Sequence, residues 1–186
     1  MKNNAAKIKL SWVQYCWIFI SHLLFAGCIF GFAHRSSNIL TITRPLGAIM
    51  FLTGSINLFV CIKKRYIICG SRWLMTDGLT AILLSFFPLF NQIIIPVLIP
   101  FFFGIWELFS GILKVMDAYE LKSESINCWV GFAIIGYVEL ISGTFSMIKP
   151  IDEAVGYNSV ISFILFIQCF GYLLKAIMYK NLILKK

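Results

Sequence analysis

The sequence predicts an all-α, polytopic membrane protein, with six transmembrane helices in three pseudo-repeated hairpins, on three observations. Of its 186 residues, 60% are hydrophobic and only 13% charged, against about 25% charged in soluble domains. Apolar runs close to the roughly 20 residues that span a bilayer recur six times along the chain. Glycines recur through those runs at matched spacings. The whole chain, 1–186, reads as one integral membrane domain.

A short basic leader, with Lys2, Lys7 and Lys9, precedes a first span over 11–33, which opens on the interfacial aromatics Trp12, Tyr15 and Trp17. Two readings of this segment compete. Phe25-Ala26-Gly27-Cys28 resembles a lipoprotein cleavage box, but His22 interrupts the apolar region and Ile29 to Phe32 continue it past the cysteine. A retained span is the reading adopted. The second span, 45–62, is expected to start at Pro45, because a proline at a helix start loses no hydrogen bond. The basic run Lys63-Lys64-Arg65, with Arg72 beyond, leads into a third span over 73–90. Asn91-Gln92 turns the chain into the fourth, 93–116, where Pro96 and Pro100 predict kinking in the first turns. Residues 117–125 read as a polar connector. The fifth span, 126–148, closes on Lys149-Pro150, and the sixth, 158–179, ends in a basic tail.

Charge orients the bundle. The formal net charge of +8 comes from sixteen Lys and Arg that cluster between apolar runs. Twelve fall at the N-terminus, after the second and fourth spans and in the tail, while Arg35, Arg44 and Lys149 alone fall on the other side. Both termini are therefore expected in the cytoplasm. No soluble basic face is left for nucleic acid. The lipid bilayer is the expected partner, a homo-oligomer is compatible with the composition, and no soluble partner is indicated. Cys16, Cys28, Cys61, Cys69, Cys128 and Cys169 are scattered without a Cys-x-x-Cys pair, and the two histidines stand far apart. Neither a metal site, a cofactor nor a disulfide framework is expected.

The glycines show an internal repeat. Gly47 and Gly54 stand seven apart, as do Gly104 and Gly111, and the two pairs are offset by 57 residues. Gly171 lies 60 beyond Gly111. In the odd spans Gly78 and Ser85 match Gly136 and Gly143, 58 residues on. Seven residues turn a helix by about 700°, so each pair lies nearly in line on one face. The repeat is a two-helix hairpin with a stripe of small residues for close packing.

Trp73, Gly78, Ser85 and Asn91, followed by Gly104-Ile105-Trp106-Glu107-Leu108-Phe109-Ser110-Gly111, resemble the HdeD family of small bacterial inner-membrane proteins. Trp129, Gly136, Gly143 and Pro150 extend the likeness, which covers about Trp12 to Met178. Gln92 and Ile164 depart from the pattern, at a usual proline and a usual glycine. The resemblance implies a six-helix protein of the bacterial inner membrane, associated with acid resistance and envelope stress. It supplies no catalytic residue.

An ionisable side chain at the centre of a membrane helix costs about 2.5–3.5 kcal/mol on insertion scales. Glu107 and Glu139 are the deepest such residues, each three positions after a stripe glycine, Gly104 or Gly136. With His22 and Gln168 at similar depth, they form a candidate proton-handling set; the competing reading is a hydrogen-bonded lock that only fixes packing. Asp77 and Lys114 are the expected ion pair, with Asp117 and Lys175 near the same boundary. The Phe101-Phe102-Phe103 run reads as lipid-facing or interhelical filler. Phosphate-loop, zinc-protease and nucleophile motifs are absent from the sequence. A non-enzymatic role in acid or envelope stress is therefore expected, with a small proton-coupled transporter or channel as the alternative.

Overall fold

The structure, a computed structural model, describes residues 11–34, 39–64, 71–90, 98–148 and 157–182. The expectations on the basic leader, the Asn91-Gln92 turn, Pro96, Pro150 and the tail end lie outside these residues. Six helices follow one another: α1 Trp12–Ala33, α2 Ile39–Lys64, α3 Ser71–Phe90, α4 Leu98–Ser123, α5 Trp129–Ile148 and α6 Tyr157–Leu182. At 1.5 Å per residue even the 20-residue α3 reaches about 30 Å, the thickness of a bilayer's hydrocarbon core. Five of the six are long and apolar enough to cross a membrane; α4, which carries Glu107, Lys114 and Asp117, falls outside that group.

Polarity is distributed as in a protein dissolved in lipid. Large apolar side chains point outward on every helix, among them Phe19, Phe59, Leu83, Phe109, Ile141 and Phe163. Four of the six acidic residues among the described residues are buried inside. In water that arrangement would forfeit the hydrophobic driving force and desolvate charge as well; in a bilayer the outward surface is already in its preferred medium. The chain is a polytopic all-α membrane protein.

The hairpin is the repeat in sequence but not the packing unit. The most extensive interfaces join α1 to α6, α2 to α3, and α4 to α5. The even helix of each hairpin thus packs on the odd helix of the next, and α6 closes the ring on α1. Glycines set these seams. A Cβ on Gly54 would lie 2.6 Å from the Gly78 carbonyl oxygen; one on Gly104 would lie 3.0 Å from that of Gly143, and one on Gly111 2.8 Å from that of Gly136. Gly47 receives Pro88 at 2.9 Å from the same ideal position. The α1–α6 seam also has a glycine, Gly31, where a Cβ would collide with Ser162 Oγ of α6, and polar groups clasp it as well. Gln14 Nε2 donates to the Ala176 carbonyl oxygen (3.0 Å), and Asn158 Nδ2 to that of His34 (2.7 Å).

Helix ends differ most from the sequence expectation in two places. α2 begins at Ile39 rather than Pro45, so the proline stands in its second turn and removes one ladder bond near the start. The expected connector from Asp117 onward is helical to Ser123. Ala118 and Leu121 continue the buried face of α4 there, while Trp73 Nε1 donates to Glu120 Oε2 at 2.9 Å. The helix then stops in a Schellman turn: Ser125 N–H bonds the Lys122 carbonyl (3.1 Å) and Ile126 N–H that of Leu121 (2.9 Å). Ser125 takes the left-handed conformation this requires, at φ 56°.

Candidate functional site

The buried charged residues among the described residues are not spread through the core but gather in one region, with several polar partners. α4 supplies Glu107, Ser110, Lys114 and Asp117, spaced three or four apart on a single face. α6 answers with Gln168, Tyr172 and Lys175 at the same spacing. Glu139 and Ser142 come from α5, Asn57 from α2 and Asp77 from α3.

At the deep end, Glu107 accepts hydrogen bonds from Gln168 Nε2 (2.9 Å) and Ser142 Oγ (3.2 Å). Both donors are neutral. Lys114 forms a buried ion pair with Glu139 and donates to Ser110 Oγ (2.8 Å) and Gln168 Oε1 (3.1 Å). Gln168 therefore bridges the two carboxyls, with its amide N–H on Glu107 and its carbonyl on the ammonium that holds Glu139. Gly171 makes this possible, because a Cβ there would stand 2.6 Å from Lys114 Cε.

A second cluster adjoins the first through Tyr172. Asp77 Oδ2 accepts from Tyr172 Oη (2.9 Å) and Asn57 Nδ2 (3.0 Å), and Asn57 also bonds the tyrosine oxygen. Lys114 and Lys175 lie 5.9 and 5.6 Å from the centre of the Tyr172 ring, within cation–π range. Lys175 Nζ is 3.8 Å from Asp117 Oδ2. Asn57 Oδ1, Asp77 Oδ1, Asp117 Oδ1 and Glu139 Oε2 have no hydrogen-bond donor among the described residues.

Several expectations change here. Glu107, Glu139 and Gln168 are brought together. His22 is not: its ring is exposed and Nδ1 bonds the Ile18 carbonyl of its own helix at 2.8 Å. Asp77 and Lys114 do not pair with each other. The Gly111–Gly136 approach sets Glu139 beside Lys114, and Asn57 and Tyr172 take up Asp77. Sequence reasoning missed Asn57, Ser110, Ser142 and Tyr172. A signal existed for one of them, since Asn57 follows Gly54 by three, as Lys114 follows Gly111.

The described buried residues include four carboxyls, Asp77, Glu107, Asp117 and Glu139, and two ammonium groups, Lys114 and Lys175. With every group ionised, the interior would carry an excess of two negative charges in a medium of low dielectric constant. No group of three or more metal-ligating side chains occurs among the described residues. No family model, no curated protein and no solved structure matches the chain.

Proposed function

We propose that the chain is an HdeD-like protein of the bacterial inner membrane, with both termini in the cytoplasm. Its role is non-enzymatic, in acid or envelope stress, and rests on binding protons within the bilayer. The excess of buried carboxyls over buried lysines is the observation that carries this reading. Unbalanced charge at membrane depth is costly, and protons from an acidified medium neutralise it without any change of fold. Glu107 is the position that receives one. Glu139 has an ammonium partner, whereas the donors to Glu107 are neutral.

A small proton-coupled transporter or channel is the second reading. It is favoured by the alignment of Glu107, Ser110, Lys114 and Asp117, whose ten-residue rise on α4 covers about 15 Å. Acid survival of cells lacking the protein tests the first reading. Wild-type protein should restore survival and Glu107→Gln should not, although it inserts normally; full rescue by Glu107→Gln contradicts the proposal. Proton flux in proteoliposomes separates the second reading, since binding alone moves no protons across the bilayer.

A further inference from the structure

The two oxygens of Glu107 meet different partners. Oε2 faces the Gln168 amide nitrogen at 2.9 Å, and Oε1 faces the Ser142 hydroxyl at 3.2 Å. These partners offer a proton different things. An amide NH2 only donates, whereas a hydroxyl donates one hydrogen and accepts through two lone pairs.

Gln168 is held in one orientation. Its Oε1 accepts from Lys114 Nζ at 3.1 Å and from Ser110 Oγ at 3.4 Å. Turning the amide over would set its NH2 against an ammonium, which has no acceptor. The NH2 therefore stays on Glu107 Oε2, where an acid O–H would meet a donor. Ser142 has a way to reverse. Its Oγ lies 3.1 Å from the Glu139 carbonyl oxygen, three residues back on α5, so its hydrogen has a second acceptor there. The serine can accept the acid O–H and donate to that carbonyl by rotating one hydrogen, with no heavy atom displaced.

Position favours the same oxygen. Gln168 is fully buried, while Ser142 is half-buried and lines, with Phe145 and Phe163, a groove of about 450 Å3 between α5 and α6. Oε1 is thus one hydroxyl away from that groove. The charges that Glu107 faces are those of Lys114 on its own helix and Glu139 on α5, and these two are paired with each other. Farther along the cluster, Lys175 of α6 is beside Asp117, and Asp77 of α3 is held by Asn57 and Tyr172.

We infer that Glu107 takes its proton on Oε1 with Ser142 as the acceptor, while Gln168 keeps its bonds to Oε2 and Lys114 in both states. Ser142 and Gln168 are positioning residues: one receives the acid hydrogen, the other keeps the Lys114–Glu139 pair in place while Glu107 changes charge. The inference rests on the proton-binding reading of Glu107 and adds which oxygen is protonated and through which side chains.

Infrared difference spectroscopy of the full-length protein in lipid tests it. In each background the Glu107 component is the part of the acid-induced carbonyl band lost on Glu107→Gln. With the proton on Oε1, the acid carbonyl is Oε2, and the Gln168 N–H lowers its stretch. Gln168→Met, close in length and unable to donate, should therefore move the Glu107 component to higher frequency. Ser142→Ala should move it less, because it removes only the acceptor of the acid hydrogen. A larger upward shift in Ser142→Ala than in Gln168→Met would overturn the assignment and leave protonation of Glu107 standing. Loss of no component in Glu107→Gln would overturn both. Should Gln168→Met fail to fold, Ser142→Ala decides alone: the component should stay below the frequency of a carbonyl without a hydrogen bond, and its rise to that frequency would overturn the assignment.

Discussion

Lys114 of α4 reaches Glu139 of α5 through space that Gly171 of α6 leaves open. An ideal Cβ at Gly171 would stand 2.6 Å from Lys114 Cε and 3.3 Å from Glu139 Oε1. Three helices thus meet at one ion pair, and the glycine on the third decides whether the pair forms. Close backbone approach and buried charge are two aspects of one packing arrangement.

Removing one partner of that pair should be costly. Lys114→Met leaves Glu139 without its cation, and uncompensated buried charge destabilises by about 3–5 kcal/mol. Replacing both, Lys114→Met with Glu139→Leu, should recover most of the loss, because a buried ion pair contributes little over an apolar pair of similar volume. Thermal unfolding of the single and double variants in detergent, at neutral pH, checks the difference. Equal stability of Lys114→Met and wild type would remove the pair from the account.

The glycine seams make a graded prediction. At Gly111 an added side chain meets Gly136 carbonyl oxygen and Leu140 nitrogen, both at 2.8 Å and both backbone. Nothing there can rotate away. Gly111→Leu should therefore destabilise by about 1–3 kcal/mol or more through overpacking. Gly131→Ala is the control, because its nearest neighbour is the end of the Leu174 side chain at 3.1 Å, which can shift. Similar melting temperatures for both variants would mean that the α4–α5 seam is not set by backbone contact.

Ser125 offers a substitution in the opposite direction. It holds φ 56° at the Schellman turn that ends α4, and an L-residue in that region costs about 1–2 kcal/mol that glycine does not. Ser125→Gly should raise the stability by up to about 1 kcal/mol, part of the gain being lost to the greater freedom of the unfolded chain. A lower melting temperature would show that the serine side chain makes a compensating contact.

Much of this fold is legible in the sequence. All six helices lie where apolar runs stand, and the repeated glycines do sit at close approaches. Which helices those glycines join is not legible. An offset of 57 residues places Gly54 and Gly111 on equivalent faces, but it cannot distinguish a face turned to its own hairpin partner from one turned to the next hairpin. The Asp77–Lys114 expectation failed for that reason: similar depth was read as contact, while α4 is seamed to α5. His22 failed because depth along a helix does not give azimuth, and its side chain points outward. Asn57 and Tyr172 escaped notice since each is unremarkable alone and gains meaning only beside Asp77.

Orientation rests on the crowding of Lys and Arg into one set of loops. Reporter fusions after Lys64 and at the C-terminus should give cytoplasmic signals, and one near Asn38 an external signal. A cytoplasmic signal at Asn38 would require a different number of crossings.

Protonation of Glu107 is the central claim, and infrared difference spectroscopy of the purified protein in lipid tests it most directly. Acidification should produce the carbonyl stretch of a protonated carboxyl at a frequency typical of a group removed from water. That band should weaken in Glu107→Gln, where the other buried carboxyls still contribute, and keep its full intensity in Glu124→Gln, whose carboxyl is on the exposed surface. A spectrum in Glu107→Gln identical to that of the wild type, or no protonated buried carboxyl from mildly alkaline to acid pH, would contradict the account and leave Glu107 as a packing residue alone.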